Sequence, residues 1–118
     1  MILLLNKTAP KPGVTVLQMK GSIHSGPDCR RIEQEVEQLI DAKSDFVILD
    51  LSEVTHIDSA AIGSIVRCFA RVKGSGGRFC LAGCVGMIES SLKLTRLDKV
   101  LEIFPTAAAA AEKHTSAS

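Results

Sequence analysis

Residues 58–63 read Asp-Ser-Ala-Ala-Ile-Gly; they follow the apolar run Phe46-Val47-Ile48-Leu49-Asp50-Leu51 and precede a long amphipathic stretch. That order puts the Ser59 hydroxyl at a junction between a strand and a helix. At a helix start an oxygen lies beside free backbone N–H groups and the positive end of the dipole, so a phosphate added there is electrostatically tolerated. Ala60 and Ala61 are small and leave room for another protein's active site to approach. The same Asp-Ser pair also reads as a plain helix cap, since both are usual cap residues and losing one costs about 1 kcal/mol. A third chemistry is nucleophilic attack by Ser59 with His56 or His24 as base. The sequence argues against it: Ile57 and Ala61 stand where a Gly-x-Ser-x-Gly elbow has glycines, and His56 lies too close along the strand.

The remaining reactive residues point to structure. Cys29, Cys68, Cys80 and Cys84 fall in segments that read as helix, helix, strand and the loop after it. Cys80-x-x-x-Cys84 has no second pair and no nearby histidine to complete a metal site, so the thiols read as reduced, small hydrophobic residues and no metal or other cofactor is expected. Gly74 to Gly77 close a helix, and no glycine-rich loop leads into Lys-Ser or Lys-Thr to cradle a phosphate. Gly63 costs a helix up to about 1 kcal/mol relative to alanine, which suggests close packing against the sheet. Arg67 and Arg71, one turn apart, read as solvated charges or as partners for acids on another protein.

Composition narrows the function classes. At 118 residues the chain fits one domain. Its residues are 46% hydrophobic but only 3% aromatic, with no Trp or Tyr, so aliphatic packing must fill the core. Fourteen Lys and Arg against thirteen Asp and Glu leave a net charge of +1. Neither electrostatic attraction to a phosphate backbone nor base-stacking platforms are present, so no nucleic acid is expected as a partner. Met1 to Leu5 are apolar but end at Asn6-Lys7, far short of the about 20 residues of a membrane span; no membrane insertion and a cytoplasmic location are expected.

The elements that position Ser59 follow from periodicity. Residues 2–6 and 14–20 read as two strands around the turn Ala9-Pro10-Lys11-Pro12-Gly13, with Val14, Val16 and Met19 on the inward face. Ser25-Gly26-Pro27-Asp28 carries helix-start chemistry, and Cys29, Ile32, Val36, Leu39 and Ile40 recur at helical spacing. A buried strand at 46–51 leads to a second helix from Ser59 with the stripe Ile62, Ile65, Val66, Phe69 and Val72. A strand at 78–82, a short helix marked by Met87, Ile88, Ser91, Leu92 and Thr95, a strand-like piece at 100–103 and a polyalanine helix at 107–111 complete the order. The opening pair favours antiparallel pairing and the later alternation favours parallel pairing, giving a small mixed α/β sheet. Residues 1–112 form the expected domain, and 113–118 have no pattern to bury and read as a disordered tail.

On these residues the chain resembles the STAS domain family. Asp58-Ser59-Ala60-Ala61-Ile62-Gly63 fits that family's Asp-Ser-x-x-x-Gly, supported by Gly21-Ser22-Ile23, Gly76-Gly77-Arg78 and Leu94-Thr95-Arg96-Leu97-Asp98. The resemblance implies a STAS-like α/β fold, a mixed sheet of four to five strands with about four helices. It implies an anti-sigma factor antagonist in which Ser59 is phosphorylated by a partner that is both anti-sigma factor and serine kinase. Phosphate breaks that complex, and a serine phosphatase restores the binding form. The implied contact surface is Ser22, His24, Asp58, Ser59, Ala60 and Ala61, and a homodimer is left open. Two departures stand out: Ala61 where the family often has glycine, and His24 where many antagonists carry an acid. A STAS scaffold subunit of a stress-sensing or lipid-transport complex, with no kinase cycle, is the nearer alternative, and a serine hydrolase the distant one.

Overall fold

In the computed structural model, which describes residues 2–114, the first strand runs well past the point where turn-forming residues suggest it ends. β1 (Leu4–Lys11) and β2 (Val14–Ile23) form an antiparallel hairpin in which Lys11 faces Val14 across Pro12-Gly13. Ala9 and Pro10 belong to the strand and not to the loop. Proline is tolerated there because β1 is an edge strand, and a register shift between Thr8 and Lys11 absorbs the lost donor.

The order continues α1 (Pro27–Asp41), β3 (Phe46–Ile57), α2 (Ser59–Gly74), β4 (Arg78–Ala82), α3 (Gly86–Leu94), a 3-10 turn (Leu97–Lys99), β5 (Glu102–Phe104) and α4 (Ala107–Glu112). The sheet is β1-β2-β3-β4-β5, with every pair after the hairpin parallel. Right-handed crossovers that always advance in one direction leave their helices on one face. Accordingly α1, α2 and α3 share a core with Leu17, Met19, Val47, Leu49, Phe79 and Leu81. The opposite face, Val14, Val16, Phe46, Ile48, Cys80 and Ala82, is covered by α4 through Ala110 and Ala111. Val14 and Val16 therefore point away from Met19 and share no inward face with it, as strand alternation requires of even and odd positions.

β3 is the largest departure from the sequence reading. It spans 12 residues instead of ending at Leu51. Leu51, Val54 and Ile57 are its later buried positions, three apart. The pairing explains the spacing: β3 takes one extra residue between Gln18↔Asp50 and Lys20↔Glu53, and another between Gly21↔Val54 and Ser22↔His56. Such bulges break the period of two that identifies a strand in sequence. Only Asp58 then separates β3 from α2.

The buried arc of α2 is also rotated from the expected stripe. Ala61, Ser64, Ile65, Cys68 and Val72 are buried, while Ile62 and Phe69 pack at its margin and Val66 is exposed. α2 leans on α1 through Ser64, which draws that side of the helix inward. At the opposite end of the sheet, the His114 carbonyl accepts from Lys11 Nζ at 2.9 Å and the Lys113 carbonyl from Arg78 Nη1 at 3.3 Å. The start of the segment read as a tail is thus tied to the sheet; residues 115–118 lie outside the described residues.

Candidate functional site

Asp58, and not Ser59, caps α2. Its Oδ1 accepts from the Ala61 N–H at 2.8 Å, as an extended cap residue does. Ser59 is the first helical residue and is exposed. The second Asp58 oxygen, Oδ2, accepts from the Ser25 N–H at 2.9 Å and so ties the β2–α1 loop to the start of α2. Those two donors, Ala61 first, hold the Asp58 carboxyl below the usual carboxylate range.

The β2–α1 loop is fixed by further side chains. The His24 N–H donates to Asp28 Oδ2 at 3.0 Å, and the Cys29 thiol donates to the His24 carbonyl at 3.3 Å. The His24 ring projects outward, 58% exposed, with Nδ1 3.7 Å from Asp28 Oδ2. In the sequence Asp28 reads only as an acid favouring a helix start, so its hold on His24 was missed. The four-residue spacing of His24 and Asp28 was the available signal.

The expected contact residues separate by exposure. His24, Ser59 and Ala60 are exposed, and Asp58 lies half-buried between them. Ser22 and Ala61 do not belong to that surface. Ser22 is 6% exposed, its Oγ 3.4 Å from Thr55 Oγ1 inside the β2–β3 ribbon. Ala61 is 0% exposed because its methyl faces the core; it contributes its N–H to the Asp58 cap. Gly63 is also corrected: a Cβ there meets nothing nearer than Arg67 Nη1 at 3.6 Å, so the sheet does not require glycine. His56 is exposed on β3 opposite Ser22.

Behind Ser59, polar contacts clamp α2 to α1. Ser64 Oγ, fully buried, donates to Glu33 Oε2 at 2.7 Å, and Arg67 Nη2 reaches the same oxygen at 3.1 Å. Arg67 and then Ser64 hold the Glu33 carboxyl below its ordinary range. Arg71 pairs with Glu37. The two arginines are therefore engaged within the domain, neither simply solvated nor left for a partner's acids. Among the described residues, no group of three or more His, Cys, Asp or Glu is placed to hold a metal ion, and no helix is long and apolar enough to cross a membrane. The arrangement offers an exposed alcohol on a rigid helix start, suited to docking or to accepting a transferred group.

The five-stranded mixed sheet with its four helices is a fold found in known proteins. The family model described as "STAS domain" matches residues 7–110, and the chain belongs to that family. It is 37% identical over 67 residues to a candidate anti-sigma factor antagonist of Thermotoga maritima, a match covering 57% of this chain and 59% of that protein. The chain thus aligns with about six tenths of the curated relatives' length. A crystal structure of a candidate anti-sigma factor antagonist from Thermotoga maritima superposes with a TM-score of 0.84 at 25% identity, covering 92% of both chains. The phosphorylated form of the Bacillus cell fate determinant SpoIIAA shares the fold, with a TM-score of 0.75 at 13% identity over 93% of this chain and 98% of that one.

Proposed function

We propose that the domain spanning residues 1–112 is an anti-sigma factor antagonist that works by binding and not by catalysis. In the cytoplasm it docks on an anti-sigma factor that is also a serine kinase, through His24, Asp58, Ser59 and Ala60. Phosphorylation of Ser59 ends the interaction, and a serine phosphatase restores it. One observation carries this reading: Asp58 performs the capping, which leaves the exposed Ser59 hydroxyl free of that structural duty. Family membership and the names of the Thermotoga relatives support it, and SpoIIAA, similar in fold, exists in a phosphorylated form.

In the transfer step, the Ser59 oxygen bonds to the γ-phosphorus of ATP as the bond to the ADP oxygen breaks, and the hydroxyl proton passes to a base of the kinase. The product carries roughly −1.5 to −2 charge units beside Asp58, at a surface that had accepted a partner. Repulsion and desolvation then weaken docking. The α2 N-terminus returns up to about 1 kcal/mol, so the modified domain stays folded.

The test mixes the purified protein with a candidate anti-sigma kinase and ATP, locates phosphate by mass spectrometry and measures complex formation. Phosphate on Ser59 only, its loss in Ser59→Ala, and at least about tenfold weaker binding of the phosphorylated form, or about 1.4 kcal/mol, are expected. Phosphate absent or undiminished in Ser59→Ala removes the switch. Binding that is unaffected by ATP supports the scaffold reading instead.

A further inference from the structure

The structure holds residues 24 and 25 beside residue 58 by three side-chain hydrogen bonds from separate places: Asp28 to the His24 N–H, the Cys29 thiol to the His24 carbonyl, and Asp58 to the Ser25 N–H. None of these engages the imidazole as donor or acceptor. The backbone is fixed while the ring is presented to solvent, 58% exposed. The charged groups facing it are Asp28, on the first turn of α1, and Asp58, at the cap of α2; the imidazole in its charged form is among the groups that favour ionised Asp58, behind the hydrogen bonds from Ala61 and Ser25.

We infer that His24 supplies the counter-charge for a phosphoryl group on Ser59. This rests on reading Ser59 as the phosphorylated residue. The group attached to Ser59 emerges next to Asp58, whose carboxylate is occupied by two backbone donors and only adds negative charge. His24 is the cationic-capable side chain that the loop ties bring to that carboxylate. An imidazolium there offers N–H donors to phosphoryl oxygens, a charge-assisted contact. An acid at the same position repels the phosphoryl group. His24 therefore sets how well the modified state is tolerated by the domain itself, apart from its contact with a partner.

The experiment installs phosphoserine at position 59 by genetic encoding, so that no kinase is needed, and follows the second ionisation of that phosphate by 31P NMR across pH 4.5–8 in wild type, His24→Ala, His24→Gln and His24→Asp. A nearby cation stabilises the dianion, so the wild-type midpoint lies lowest. An exposed pair worth 0.2–1 kcal/mol corresponds to a shift of roughly 0.2–0.7 pH units. The expected order is wild type, then Ala and Gln together, then Asp highest. The backbone ties of residue 24 do not use its side chain, so without the phosphate wild type, His24→Ala and His24→Gln are expected to share one melting transition. Coincident midpoints in wild type, His24→Ala and His24→Gln overturn the inference. Failure of any kinase to modify Ser59 in the unmodified protein defeats the function reading but leaves the 31P order intact.

Discussion

Ser59 is free to act because its neighbour does the structural work. Asp58 spends each carboxylate oxygen on a different backbone N–H, and so joins two connections that are distant in sequence. Asp58→Ala should lower the urea midpoint at pH 7 and loosen the 24–26 loop, read as faster amide exchange at Ser25 and Ala61 than elsewhere. Since folding depresses this carboxyl, its contribution is full above the unfolded value near pH 4 and disappears as pH falls through the folded value. The difference between wild type and Asp58→Ala should therefore shrink on acidification below about pH 4. Equal differences at pH 7 and pH 3 would contradict this role. Gly63 makes an opposite prediction. A methyl there meets only the flexible end of Arg67 at 3.6 Å, so Gly63→Ala should stabilise by about 0.5–1 kcal/mol and raise the melting temperature by a few degrees. If partner binding falls while stability rises, glycine serves the docking surface one turn beyond Ser59.

At the scale of elements, α1 and α2 are joined by a polar clamp inside an otherwise aliphatic seam. Buried Ser64 and half-buried Glu33 share a short hydrogen bond. Ser64→Ala leaves a carboxylate oxygen with Arg67 alone and should cost about 1–2 kcal/mol by chemical denaturation. A double-mutant cycle with Glu33→Gln should show coupling of at least about 0.5 kcal/mol; additive effects would mean that the clamp is not a unit. The clamp was not legible in sequence. Ser64 looks like a tolerated polar residue on a helix, and Arg67 looks like a solvated one. Only the crossing of two helices brings Glu33 between them. The start of α2, by contrast, was readable within a residue, since Asp-Ser ahead of a helical pattern is a local signal that needs no tertiary partner.

For the whole molecule, titration sets both limits of stability. Asp58, Glu33 and Glu102 are all held below the ordinary carboxylate range by donors that exist only in the fold. Their combined contribution is present above pH of about 4 and is lost as pH falls further, so acid unfolding should steepen there. At the alkaline end, burial pushes the Cys68 and Cys80 thiols up to about 12 and the Cys84 thiol to about 11. These thiols stay neutral in the fold, and the stability this gives is full below the unfolded value near 8.5 and declines as pH rises toward the folded ones. A thiol reagent at pH 8 should therefore label the native protein slowly and all four cysteines promptly in denaturant. Prompt labelling of the native chain at Cys68 or Cys80 would contradict their burial.

Much of the architecture was already present in local patterns: the hairpin, the alternation of strand and helix, the polyalanine helix and the serine at the junction each follow from short-range periodicity, turn residues and caps. Those signals arise within one element and survive without its neighbours. What neighbours decide was hidden: the length of β3, set by two bulges against β2; the inward turn of Ser22 and Ala61; the rotation of α2 toward α1; and the Asp58 tie that holds the 24–25 loop at the start of α2. The β2–β3 bulges, the Ser22–Thr55 contact, the Ser64–Glu33 clamp and the Asp58–Ser25 tie join residues about 30 positions apart, and a hydrogen bond across that separation has no signature in the order of residues until the chain is folded around it.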